Sequence, residues 1–154
     1  MPKITLYDVP ETSGTDYPSC FASPCLERRK KAVGDFGGLT QFGAHIITLP
    51  PGTWSSQRHW HSGEDEMVMI LDGHPTLIDD DGETTLKPRD ITIHPAGHTN
   101  GHHMINRTDE DVRFIIIGHR NLENDHAHYP DIDLDLPANG SPDRVYQRKN
   151  GMLY

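Results

Sequence analysis

Apolar residues along this chain fall in short runs cut off by glycine, proline or aspartate, and no segment of comparable length carries a helical period. The pattern predicts eight strands, at Gln41–Leu49, Gln57–Trp60, Glu66–Leu71, Pro75–Asp79, Glu83–Leu86, Ile91–His94, His102–Asn106 and Val112–Gly118. Turn signals separate them: Pro50, Pro51 and Gly52 before the second, Asp72 and Gly73 after the third, and a hairpin sequence at Asp79–Gly82. Short strands at this spacing predict an all-β domain, a double sheet of jelly-roll type. No internal repeat is visible, so the reading is one barrel and not two.

The flanks have a different texture. Residues 1–37, with Pro10, Pro18, Pro24 and the glycines from Gly34, read as an arm that wraps a neighbouring surface or subunit, and residues 38–120 as the barrel. Residues 121–154 are polar and proline-containing and read as a second arm, packed on the barrel or on a partner subunit. Within it Asp131, Asp133 and Asp135 alternate with Ile132, Leu134 and Leu136, which predicts an edge strand or extended arm with an acidic outer face. A calcium loop would also need a glycine and a later glutamate, and both are missing. The basic run Arg28–Lys31 reads as a solvated turn of helix or arm.

Composition narrows the partners. At 154 residues the chain is long enough to bury roughly 70% of its unfolded surface in one core. The 14 glycines and 12 prolines suit many turns, and a net charge of -9 argues against nucleic acid, whose backbone needs a positive surface. No apolar stretch approaches the ~20 residues that span a bilayer, and the start MPKITLYDVPETS lacks the pattern of a signal peptide, so the expectation is a cytoplasmic protein with no membrane partner. In that compartment Cys20 and Cys25 are expected as free thiols, although a disulfide or a metal thiolate stays open to them. The sequon Asn106–Thr108 has meaning only in a secreted protein.

Candidate chemistry concentrates between Gly52 and Gly73. His59 and His61 alternate on a predicted strand and so share a face, with Trp60 on the other, which makes them a bidentate grip for a metal. Glu66 opens the apolar run Met67–Leu71, where an unpaired carboxylate would cost several kcal/mol to bury, so a cation is the economical partner; exposure at the strand end is the plain alternative. A further ligand comes from the segment KPRDITIHPAGHTNGHHMIN, where His102 shares a face with Met104 and Asn106. His98, nearer the turn, is its rival. His126 and His128 repeat the HxH pattern, as eleven histidines will by chance, and His94, His98, His103 and His119, each taken singly, read as surface or loop residues.

These residues resemble the cupin family. Its first motif is a glycine, about five residues, HxH, three or four residues, a glutamate, six residues and a glycine; Gly52, His59, His61, Glu66 and Gly73 fill it with one extra residue after Gly52. In the second motif Pro95 and Gly97 fit, Arg89 stands where the first glycine belongs, and His102 and Asn106 keep the HxxxN spacing two residues late. The resemblance covers about Gly38 to Arg120. The strings LTQFGAHIITLPPGTWSSQRHWH, GHHMINRT and HYPDIDLDL are similar to a branch of small bacterial cupins that carries a sugar-phosphate isomerase label, itself an analogy.

A cupin double-stranded β-helix with this donor set implies a divalent ion held by His59, His61, Glu66 and His102. Three imidazoles and a carboxylate suit Fe, Mn, Ni, Co or Zn, and on an octahedral ion they leave two positions for water or for a small-molecule substrate with adjacent oxygens. A liganded Glu66 is a poor base, so proton transfer needs another group: Gln57, on the same face as the histidine pair, could hydrogen-bond substrate or a ligand, and His98, at the mouth, could carry protons. His45 on the preceding strand is a weaker candidate, and Trp54 and Met104 read as wall. The functions compatible with such a site are a metal-dependent isomerase, epimerase or lyase acting on a sugar or sugar acid, a non-haem Fe(II) dioxygenase, and a small-ligand-binding cupin without turnover. Few cationic side chains are placed to meet a phosphate. Arms at both ends of a small barrel further imply a homodimer.

Overall fold

The computed structural model describes residues 3–154. Among these residues twelve strands form: β1 (Glu11–Ser13), β2 (Arg29–Lys31), β3 (Phe42–Leu49), β4 (Trp60–His61), β5 (Glu66–Asp72), β6 (Thr76–Asp79), β7 (Gly82–Thr85), β8 (Ile91–His94), β9 (His103–Ile105), β10 (Val112–His119), β11 (Ala127–His128) and β12 (Asp135–Leu136). Two single-turn helices, α1 (Ser19–Ala22) and α2 (Val33–Phe36), lie in the N-terminal segment. The main sheet runs β1-β2-β3-β10-β5-β8, faced by the three-stranded sheets β7-β6-β9 and β12-β11-β4, as the jelly-roll reading requires. No helix of the described residues is long and apolar enough to cross a membrane.

Period-two alternation sets what each strand buries. On β5 Val68 and Ile70 turn inward with Glu66, and they meet Ile47 and Leu49 of β3, Met104 of β9, and Val112 and Phe114 of β10 in one apolar core. Glu66 therefore lies at the end of an inward-facing row, level with Gly118 and with His94 of β8. Outward, Ile91 and Ile93 are 54% and 61% exposed on β8, the free edge of the main sheet.

Seven of the eight predicted barrel strands are present within one residue of their predicted bounds, and one is not. Gln57–Trp60 is not a regular strand: the chain runs beside β9 through isolated bridges, Trp54 with Ile105 and His59 with His102, and only Trp60–His61 enters a sheet. The basic run is also corrected. Arg29–Lys31 is strand β2, antiparallel to β3, and Arg28 donates to the carbonyls of Ser55 and Gly14. Its charges sit over an edge that the barrel would otherwise leave open.

Both flanks pack within this chain. Tyr17, Cys25, Ala127, Tyr129, Leu134 and Tyr146 form a second core, with Tyr17 and Tyr129 edge to face at 5.8 Å. Of the alternating tail only Asp135–Leu136 is strand; Leu134 is fully buried, Asp131 pairs with Arg58, and Asp133 with Arg148. Cys20 and Cys25 are free thiols. Asn106 of the sequon is fully buried, its amide donating to Leu49 and Glu110 carbonyls, so it offers no site for a glycan.

Candidate metal centre

Backbone pairing brings His59, His61 and Glu66 together. His59 exchanges hydrogen bonds with His102 across two antiparallel segments of the chain, N to O 3.2 Å and 2.8 Å, and His61 enters β4 one side-chain period later. The ligating atoms of His59, His61 and Glu66 all lie within 4.8 Å of one another. His102 joins them through Glu66, its Nε2 donating to Oε1 at 3.2 Å, and it is 5% exposed. His98 is exposed at the rim.

The outer nitrogens of two imidazoles are spoken for. His59 Nδ1 donates to the Gln57 carbonyl at 2.9 Å, and His61 Nδ1 to Asp125 Oδ2 at 2.6 Å. Both rings thereby keep an unprotonated Nε2 for the interior, the arrangement in which a carboxylate or carbonyl orients a ligating histidine. Asp125 is held in turn by the Gly63 amide at 2.9 Å. A proton on His102 Nε2 lies between imidazole and carboxylate, a contact that a cation would replace. The donor set therefore fits a divalent ion of the zinc, iron or manganese kind.

Electrostatics follow from burial. Burial pushes His59 down to about 3, and the imidazoles of His61 and His102 add to the effect. For Glu66 burial acts upward, but the hydrogen bond from His102 and the surrounding imidazoles outweigh it and bring the carboxyl to about 2. Burial likewise opposes charge on His61, and the Asp125 carboxylate reverses this and raises it. The chain thus holds neutral and charged donors side by side before any ion enters.

A cavity of about 310 Å³ opens beside His61 and His102, lined also by Trp60, Glu64, Asp79, His94 and His98. His94 stacks on His102 with ring centroids 3.4 Å apart, and burial pushes its pKa down to about 4. Glu64 accepts the Asn121 amide at 2.6 Å, and burial raises its carboxyl above the ordinary range. No lysine or arginine lines the cavity. The nearby Arg58 guanidinium is committed to Asp131, Asp80 and the Gly101 carbonyl.

Several sequence readings change here. Gln57 is not in the cavity wall: it is buried, its amide donates to the Phe21 carbonyl at 2.7 Å, and its backbone amide to Tyr17 Oη. His94 is half-buried in the cavity wall and His103 is 5% exposed, donating to the Ser56 carbonyl, so neither is a surface residue; His98 and His119 are exposed. His45 is half-buried on β3 and lies outside the cavity. Asp125, Glu64 and the stacking role of His94 were not anticipated. Asp125 acts from more than sixty residues downstream, and no local pattern announces it.

Comparison with known proteins agrees with the geometry. A cupin-domain family model matches residues 45–118. A sugar phosphate isomerase from Silicibacter pomeroyi, described as of a cupin superfamily, is 36% identical over 98% of this chain and 95% of its own, with a TM-score of 0.93. A candidate sugar phosphate isomerase from Acidithiobacillus ferrooxidans is 28% identical over 82% and 79% of the two chains, with a TM-score of 0.73. The polyketide cyclase RemF from Streptomyces resistomycificus shares the fold at 17% identity and a TM-score of 0.64, over 77% and 79% of the chains. No curated protein matches.

Proposed function

The chain belongs to the cupin superfamily, and from that premise we propose that it is a metal-dependent isomerase, epimerase or lyase acting on a small, unphosphorylated polyoxygenated metabolite such as a sugar or sugar acid. The observation that carries this reading is the convergence of His59, His61 and Glu66, with His102 on Glu66, beside a cavity of about 310 Å³ that His61 and His102 line. His59, His61, Glu66 and His102 would hold the ion, which when bound supplies a Lewis acid that polarises adjacent oxygens of the substrate.

The chain's own residues supply the rest. Asp125 and the Gln57 carbonyl hold the His61 and His59 rings in position, so that little reorganisation accompanies binding. Glu64, raised by burial, is placed in the cavity wall to take or return a proton, and exposed His98 at the rim exchanges it with solvent. The wall carries Glu64 and Asp79 and no cationic side chain, which disfavours a phosphate and suits hydroxyl groups. This departs from what the two bacterial neighbours are named for.

The same reading takes the protein as a homodimer, because Ile91 and Ile93 on the free edge strand β8 are the kind of exposed apolar row a second copy would cover. A monomeric mass at micromolar concentration would overturn that part. For the activity, the test is elemental analysis of the isolated protein with oxygen-uptake measurement, repeated with His59→Ala. Zinc, nickel, cobalt or manganese, lower by one equivalent in the variant and without oxygen uptake, supports isomerisation or lysis. Iron with oxygen uptake would move the assignment to a dioxygenase, and a protein that holds no metal to a binding role.

A further inference from the structure

We propose that His126, His128 and Asp135 form a second divalent-cation site, of zinc type, on the β4-β11-β12 sheet. His128 lies opposite Trp60 and opposite Asp135 in register, whereas Ala127 lies opposite His61. The second HxH pair therefore faces the Trp60 side, away from the face that carries His59 and His61. The ligating atoms of His126, His128 and Asp135 lie within 4.8 Å of one another, none of them shared with the first centre.

Two nitrogen-to-oxygen separations lie near the edge length of a coordination polyhedron, each to a different oxygen of the Asp135 carboxylate. His126 Nε2 is 3.4 Å from Asp135 Oδ2, and His128 Nδ1 is 3.6 Å from Asp135 Oδ1. Metal bonds of 2.0–2.1 Å to nitrogen and oxygen give a tetrahedral edge of about 3.4 Å. His126 Nε2 is also shielded from solvent and has no hydrogen-bond partner among the described residues, although it faces a carboxylate. At 3.4 Å the two groups can share a proton or a cation, and only a cation would also take in His128. Asp135 is fixed for the purpose by its neighbours, its amide donating to the Gln147 carbonyl at 2.8 Å and its carbonyl accepting from the Gln147 amide at 3.0 Å.

The side chains remain reachable, at 31%, 31% and 17% exposure for His126, His128 and Asp135. The two imidazoles now stack, 3.9 Å between centroids and 15° between planes, and His128 stacks on Trp60 at 4.1 Å. An ion bonds in the plane of an imidazole, so both rings turn out of the stack to converge on it. Two protein nitrogens and one carboxylate oxygen leave at least one position for water, the pattern of an open site.

The test is a titration of the chelator-treated full chain with Zn(II) alone, counted as metal bound per chain after gel filtration. His126→Gln/Asp135→Asn is expected to bind one equivalent fewer than the wild type, while His59→Ala still gains the equivalent held by this site. That difference does not depend on how the first centre behaves. His126→Gln alone, at a one-third exposed position, serves as the second variant should the double substitution disturb folding, and it is expected to weaken the same equivalent at least tenfold. Equal uptake by wild type and both variants would overturn the proposal, and would leave the three groups as two stacked imidazoles beside a carboxylate.

Discussion

Asp125, from the segment after the barrel, accepts a hydrogen bond from His61 Nδ1 at 2.6 Å, so a residue of the C-terminal tail sets the orientation of a ring inside the barrel. Partners of this kind are worth about 10–100-fold in metal affinity. Asp125→Asn keeps the shape but not the charge, and it is expected to weaken metal binding by about that factor with the fold intact. A competition titration against a chromophoric chelator reads it directly, and an affinity equal to wild type would remove Asp125 from the site.

Arg89 is the one non-glycine residue with a positive φ among those described, at 79°. A side chain there costs about 1–2 kcal/mol relative to an extended or helical conformation. Glycine removes that strain but adds roughly 0.5–1 kcal/mol of unfolded-state entropy. Arg89→Gly is therefore expected to raise stability by up to about 1 kcal/mol, or roughly 2–4 °C in Tm for a domain of this size. A melting scan that shows a lower Tm would mean the arginine has a compensating contact.

Asn106 closes the loop between β9 and β10. Its amide donates to Leu49 at 2.8 Å and Glu110 at 2.7 Å, and its oxygen accepts from the Thr108 amide at 2.9 Å. Alanine leaves these groups unpaired in a dry interior, at a cost of about 2–3 kcal/mol. Urea denaturation should show the midpoint falling with little change in slope. A loss under 0.5 kcal/mol, about the scatter of surface substitutions, would mean water replaces the side chain.

Stability of the metal-free protein should fall as pH drops from 7.5 to 5. Burial brings His59 to about 3 and His94 to about 4, both below the unfolded value near 6.5. Between those values the unfolded chain binds more protons, so both groups stabilise the fold above pH 6.5 and lose that contribution as the pH falls towards 4 and 3. His61, raised by Asp125, acts in the opposite sense, its contribution full below 6.5 and lost as the pH climbs above it. Burial lowers His45, His103 and His128 as well, and these five groups outweigh His61 and the raised Glu64, so a net loss on acidification is expected and His94→Gln should flatten the profile. Urea midpoints across this range that stay level, or rise towards pH 5, would contradict the assignment.

What could be read in advance has a physical boundary. Strands such as Ile91–His94 were legible to the residue because alternation and turn residues are local signals, and the shared face of His59 and His61 was legible for the same reason. The strands Glu11–Ser13 and Arg29–Lys31 were not, since neither carries an apolar residue, and their pairing is decided by the edge of β3. His94 follows the same logic: its strand was evident, but its stacking on His102 depends on how two strands from different sheets approach. The expectation that Gln57 serves substrate failed to foresee a carbonyl, Phe21, supplied by a segment with no periodic pattern of its own.

The second core joins Tyr17 to Tyr129 and Tyr146, so residues that flank the barrel on either side in sequence rest on one another. Contacts so distant along the chain are slow to close. The aromatic rings before the barrel and those after it therefore depend on each other for cover, and loosening either flank exposes both.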